Sequence, residues 1–212
     1  MIVVDQLSVR AGTFALDGIS FEIPEGQCAA LMGKTGSGKT TILEAICGLK
    51  PMRSGSVRLH GRDVTGLRPA ERGIGYVPQD RALFPTMTVR EHLAFALVIR
   101  KWEQPAIAAR VQELADLLGI VPLLERRPHG LSGGEAQRVA VGRALSCKPA
   151  VLLLDEPLSA LDEETREEMC QLLTSVRAHT GVTTLHVTHS LGEAKRLAHK
   201  ILYLRNGAIA SE

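Results

Sequence analysis

Apolar and polar positions along this chain change period several times, and each change predicts an element. Residues 2–9 and 19–23 alternate apolar with polar side chains, the period of a strand with one buried face. Ala11-Gly12 breaks the alternation, so the two stretches read as antiparallel strands leading into a buried strand at 27–32. A helical pattern through Thr41-Ile42-Leu43-Glu44-Ala45-Ile46 is stopped by Gly48 and Pro51. Residues 54–61 read as a short hairpin strand, and Ile74–Gln79 as a buried strand whose end Pro78 sets. From about residue 82 to 147 the period turns helical. Thr88-Val89-Arg90-Glu91 is a capping box opening a helix near 89–101. Ile107, Val111, Leu114 and Leu118 share one helical face, closed by Gly119. Ser132-Gly133-Gly134-Glu135 is a second capping box, opening a helix towards Cys147 that Pro149 ends. The unbroken apolar run Val151–Leu154 suits a strand buried on both faces of a parallel sheet. A helix at about 163–179, a strand at 182–187, a short helix at 191–198 and strands at 200–205 and 207–210 complete the pattern. Strands and helices in alternation, with a helical block between them, predict an α/β core carrying an inserted helical subdomain at about 82–147.

Composition narrows the function classes. The 212 residues are 45% apolar and 23% charged with a net charge of +2, which suits one well-buried globular core and no strong field for a polyanion. No nucleic-acid partner is expected. Cys28, Cys47, Cys147 and Cys170 lie in or beside apolar stretches without a C-x-x-C pair, so buried free thiols in a reducing compartment are expected. No window approaches the 18 or so apolar residues of a membrane span, and the opening Met1-Ile2-Val3-Val4-Asp5 carries no basic leader.

The chemistry centres on Gly33-Lys34-Thr35-Gly36-Ser37-Gly38-Lys39-Thr40, which fits the phosphate-loop pattern G-x-x-x-x-G-K-[ST]. It follows the apolar run Ala29–Met32 and precedes a helix, so a helix N-terminus aims free N–H groups at an anion. Lys39 can reach the β- and γ-phosphates of a nucleotide, and the Thr40 hydroxyl can ligate Mg²⁺. Asp155 and Glu156 close a hydrophobic strand; Asp155 can hold Mg²⁺, and Glu156 can orient and deprotonate an attacking water. Two glycines in the first turn of the helix after Ser132 are poor helix formers, which close approach of backbone to a phosphate would explain.

Leu131-Ser132-Gly133-Gly134-Glu135-Ala136-Gln137 resembles the signature sequence of the ABC-type ATPases, and further motifs follow in that family's order over nearly the whole chain. Gln79 in Tyr76-Val77-Pro78-Gln79-Asp80 matches the Q-loop glutamine, Ser159-Ala160-Leu161-Asp162 the D-loop, and His189 in Val187-Thr188-His189-Ser190 the switch histidine. The resemblance implies an α/β phosphate-loop NTPase core of the ABC ATPase type, with an N-terminal antiparallel β subdomain and an inserted helical subdomain, as one domain over 1–212. It implies ATP and Mg²⁺ as cofactors and a catalytic set of Glu156, His189, Gln79 and Lys39. Thr40, Gln79 and Asp155 would face the metal. ATP would be held by Gly33 through Thr41 (Gly33, Lys34, Thr35, Gly36, Ser37, Gly38, Lys39, Thr40 and Thr41) and, from a second chain set head to tail, by Ser132, Gly133, Gly134 and Asp162. The family's adenine-stacking aromatic corresponds to Ala11 here; Phe14 is the nearest aromatic and either stacks on the base or belongs to the core.

Several features resemble the importer branch of the family. They are Phe84-Pro85-Thr86-Met87-Thr88-Val89 after Gln79, Val64-Thr65-Gly66-Leu67 before Pro69, and Leu158 within Asp155–Asp162. The opening Gly12-Thr13-Phe14-Ala15-Leu16 resembles ATPases of molybdate, tungstate and sulfate uptake. The implied partners are a second copy or a paralogous ATPase subunit, transmembrane permease subunits and, indirectly, a solute-binding protein, with the chain peripheral on the cytoplasmic face of the cell membrane. The C-terminal β domain of many such subunits is expected to be absent, because the sequence stops at Glu212. The competing expectation is a stand-alone ABC ATPase, such as one of iron–sulfur assembly.

Overall fold

The computed structural model describes residues 1–12 and 14–211; Thr13 of the 12–16 motif and the terminal Glu212 lie outside the described residues. Strands β1 (Ile2–Ala11) and β2 (Phe14–Ile23) are antiparallel, as their alternation demands. Both extend further towards the turn at Gly12 than the alternation alone indicated. β1 also pairs with β4 (Met52–Leu59), and β4 turns back into the two-residue β5 (Arg62–Asp63), giving a sheet ordered β2-β1-β4-β5.

The second sheet has the order β10-β9-β3-β8-β7-β6. Its parallel strands are β3 (Cys28–Gly33), β6 (Ile74–Val77), β7 (Val151–Asp155), β8 (Thr183–Val187) and β9 (Lys200–Arg205). β10 (Ala208–Ser211) closes the edge antiparallel to β9. β7 and β8 are buried along their whole length. Successive residues of β7 face opposite cores. Leu153 joins Ile2, Leu31, Ile42 and Leu185 under the antiparallel sheet and α1 (Lys39–Cys47). Leu152 and Leu154 join the helices on the other side: α2 (Val89–Ile99), α3 (Gln104–Leu118), α4 (Gly133–Leu145) and α5 (Glu163–Thr180). A sheet covered on both faces needs continuous apolar strands, which is why the 151–154 run has no polar interruption.

Both sequence-predicted capping boxes form: Thr88 accepts from the Glu91 N–H at 3.2 Å, and Ser132 from the Glu135 N–H at 3.2 Å. Helices α2, α3 and α4 fall between β6 and β7 in the chain and pack on one another. α6 (Leu191–Leu197) precedes β9. Three short 3₁₀ turns, at Pro69–Glu71, Val121–Leu123 and Pro128–Gly130, carry too few residues for a periodic pattern and left none in the sequence.

Register decides where the chemistry collects. Leu31 on β3 pairs with Val187 on β8, Asp155 on β7 pairs with the same Val187, and Val77 on β6 pairs with Leu154. The residues that follow these strands therefore emerge side by side at one carboxyl edge of the sheet, the edge where open α/β folds bind ligands.

Candidate nucleotide and metal site

The phosphate loop leaves β3 at Gly33 and enters α1 at Lys39. The turn is closed by the Ser37 N–H donating to the Lys34 carbonyl at 3.1 Å. Gly38 is the N-cap of α1 with φ 101°, and no side chain caps the helix, so its first N–H groups are left for a ligand. A Cβ at Gly38 would stand 2.7 Å from the Phe14 ring, and one at Gly33 would stand 2.8 Å from the Leu204 carbonyl oxygen. Both glycines are thus required by close approach. The Phe14 ring sits on the phosphate loop and at the same time lines two adjoining cavities, so the core and ligand readings of this residue meet at one place.

Lys39 is 6% exposed and donates to the carbonyls of Gly33 at 3.1 Å and Lys34 at 3.2 Å. Its ammonium lies 3.9 Å from the Glu156 carboxylate. Glu156 also faces Gln79 Nε2 at 3.5 Å and His189 Nδ1 at 3.6 Å. His189 is 62% exposed at its side chain and open to a ligand. Glu156 is held at φ 46°, a left-handed backbone that a β-strand terminus rarely adopts outside glycine, while its N–H donates to the Val187 carbonyl. Such conformations cost about 1–3 kcal/mol and collect at functional sites.

Asp155 is 2% exposed. Burial pushes its carboxyl above the usual carboxylate range; a hydrogen bond from Thr40 opposes the rise and the adjacent Glu156 charge adds to it. Its Oδ1 has no hydrogen-bond partner, and the buried Ser37 hydroxyl has none either. An orphaned carboxylate oxygen beside a threonine hydroxyl fits a hard divalent cation, which takes oxygen ligands and completes its shell with water and phosphate. No cluster of three or more His, Cys, Asp or Glu is present among the described residues, and Mg²⁺ held by one carboxylate, a hydroxyl and a nucleotide needs none.

A cavity of about 360 Å³ gathers Phe14, Thr35, Gly36, Gly38, Lys39, Thr40, Thr41, Gln79, Glu156 and His189. It opens beside a larger one of about 750 Å³, lined by Phe14, the outer face of the phosphate loop including Lys34 and Ser37, and the β9–β10 turn. The end of β9 and the turn after it bring Tyr203, Arg205 and Asn206 to the site. Sequence reasoning passed over them, since a hairpin of ordinary composition near the end of the chain carries no motif.

Ser132, Gly133, Gly134 and Asp162 line neither cavity. Ser132 caps α4, and Asp162 caps α5 by accepting from the Thr165 N–H at 2.9 Å. A Cβ at Gly134 would meet Thr165 Cγ2 at 2.5 Å, so contact with α5 is reason enough for that glycine within one chain. Gly133 meets Leu161 only at 3.4 Å and has no such reason. All four cysteines are free; Cys28, Cys47 and Cys170 are buried as expected, and Cys147 is half-buried.

Comparison with known proteins follows the same lines. The family model described as ABC transporter matches residues 16–159. The chain is 42% identical over 209 residues to the molybdate/tungstate import ATP-binding protein WtpC of Thermococcus kodakarensis, covering 99% of this chain and 63% of that protein. It is 44% identical over 209 residues to the sulfate/thiosulfate import ATP-binding protein CysA of Mycobacterium tuberculosis, covering 98% and 60%. The chain spans between 60% and 63% of the length of the first curated relatives it matches. Among solved structures, the dimeric post-hydrolysis state of the ATP-binding cassette MJ0796 bound to ADP and Pi superposes with a TM-score of 0.87 at 28% identity, covering 100% of this chain and 98% of that one.

Proposed function

Because the chain belongs to the ABC transporter family of ATP-binding domains, we propose that it hydrolyses ATP as the motor subunit of an importer, with residues 1–212 forming one ATPase domain and α2–α4 its helical subdomain. The observation that carries this reading is the convergence of Lys39, Gln79, Glu156 and His189 on one cavity at the carboxyl edge of the parallel sheet.

Lys39 and the free N–H groups at the start of α1 bind the β- and γ-phosphates; Lys39 exchanges its hold on the Gly33 and Lys34 carbonyls for phosphate oxygens. Glu156 accepts a proton from the attacking water, Gln79 and His189 orient that water and the terminal phosphate, and Phe14 stacks on the base. Asp155, Thr40 and Gln79 would hold Mg²⁺, whose charge would offset that developing on the phosphates. Since Ser132, Gly133, Gly134 and Asp162 do not line this chain's own cavity, they complete the site of a second copy facing it head to tail. Opening and closing of that pair would move a transmembrane permease.

The substrate class we infer is an oxyanion such as molybdate, tungstate or sulfate, supported by the names of the relatives. No described helix is long and apolar enough to cross a membrane, so attachment on the cytoplasmic face would come from the permease. The test is Glu156→Gln with ATP. ATP binding is retained, turnover falls at least about a hundredfold for loss of the base, and size-exclusion chromatography shows an ATP-dependent dimer. Turnover close to wild type removes Glu156 from its role, and a monomer at saturating ATP removes the shared site.

A further inference from the structure

One buried carboxylate near the site has no part in the chemistry above. Glu193, in the first turn of α6, is 7% exposed. Its Oε2 accepts from the Thr188 hydroxyl at 2.6 Å and lies 3.6 Å from Nε2 of the fully buried His186. Its Oε1 faces Arg166 Nε at 3.5 Å. Burial alone would raise this carboxyl; the adjacent His186 imidazole, the Thr188 hydrogen bond and the Arg166 charge outweigh it and hold it below the usual range.

These contacts reach two separate loops. On one side, the Thr188 hydroxyl accepts from the Ser190 N–H at 3.0 Å, and the Ser190 hydroxyl accepts from the Glu193 N–H at 3.3 Å, so the bonds close around His189. On the other side, Arg166 on α5 donates to the Leu161 carbonyl at 2.6 Å and pairs with Glu163, which pins the 159–162 segment. Glu193 stands between them. A buried carboxylate held by a hydroxyl and two basic groups has one low-energy position, because moving either loop leaves charge unpaired in a low dielectric.

We propose that Glu193 is a positioning residue that couples the 159–162 loop to His189, so that the two loops keep one shared arrangement. The consequence for turnover rests on the ATPase reading; the coupling itself does not. Arg166 sits at the surface edge of the network and can be replaced without opening the core, so the test pairs Arg166→Met with Glu193→Gln.

Loss of a residue that orients a catalytic group lowers kcat about tenfold. Each single variant is expected to show that loss with the KM for ATP within about twofold of wild type, and the double variant is expected to be no worse than either single one. In protein carrying labelled histidine, the ring resonance of His189 shifts in Arg166→Met, although the substitution is on another element. Multiplying losses in the double variant, or a His189 resonance that stays in place in Arg166→Met, overturns the coupling. A wild-type protein that hydrolyses no ATP overturns the ATPase reading instead, and the His189 resonance then decides the coupling alone.

Discussion

At the scale of single residues, backbone conformation and burial carry the information that residue type alone does not. Gly38 combines φ 101° with a neighbour, the Phe14 ring, that leaves no room for a Cβ. Gly38→Ala is therefore expected to lower stability by about 1–3 kcal/mol through strain, read as a lower urea midpoint, and to weaken ATP binding because the loop can no longer close on phosphate. An alanine variant with wild-type midpoint and affinity would mean that the Phe14 contact yields freely. The thiols show what burial does to chemistry: it pushes Cys28 and Cys170 up to about 11 and Cys47 to about 12. They stay protonated and inert at neutral pH, which makes them core residues rather than nucleophiles. Glu156 has different surroundings. It is half-buried, strained, and surrounded by Lys39, Gln79 and His189 rather than by apolar side chains.

At the scale of elements, helix termini do two different jobs. The N-terminus of α1 has no side-chain cap and leaves its first N–H groups free for a ligand, whereas α3, also without a side-chain cap, starts with a proline in its first turn. The N-termini of α2, α4, α5 and α6 are capped by Thr88, Ser132, Asp162 and Ser190. Thr88→Ala removes the Glu91 N–H acceptor from a helix that lines neither cavity. It should cost about 1 kcal/mol, visible as a shift in the denaturation midpoint with ATP affinity unchanged. A loss of affinity with no loss of stability would instead tie α2 directly to the nucleotide. The capped termini of α4 and α5 bear on the proposed dimer: Ser132 and Asp162 are held by caps within their own chain, so in that dimer both would meet a partner's nucleotide in one preorganised position.

At the scale of the whole molecule, hydrogen bonds to carboxylates shape the response to acid. Hydrogen bonds from Thr65, Thr88, Arg110 and Thr165 hold the Asp63, Glu91, Glu113 and Asp162 carboxyls below their ordinary values, and the His186–Thr188–Arg166 network does so for Glu193. Each binds a proton more readily in the unfolded chain, so each contributes stability that is complete above the unfolded value and lost as pH falls through the folded one. Asp155, raised by burial, pulls the other way. Among the carboxyls five stand against one, and His92, held below its ordinary value by burial, adds to the five, so denaturant midpoints should decline on acidification, chiefly below about pH 4, the unfolded carboxylate range. A midpoint that rises on acidification would contradict the assignment of these bonds.

The sequence by itself determined the parts whose signal is local. The periods of 2 and 3.6 placed the strands and helices, the box residues at 88–91 and 132–135 announced two helix starts, and the motif order from Gly33 to His189 pointed to the family and to the candidate side chains of the site. These are legible because propensity, capping and loop geometry act over a few neighbouring residues. Tertiary structure alone decided what depends on register between distant strands. It set Val187 between Leu31 and Asp155, brought Tyr203 and Arg205 of the last hairpin to the phosphate loop, left Asp155 Oδ1 without a partner, and joined Glu193 to Arg166 across two helices. Those contacts bring together side chains far apart in the chain. Their energies come from desolvation and shared cavities, which no short window of sequence contains.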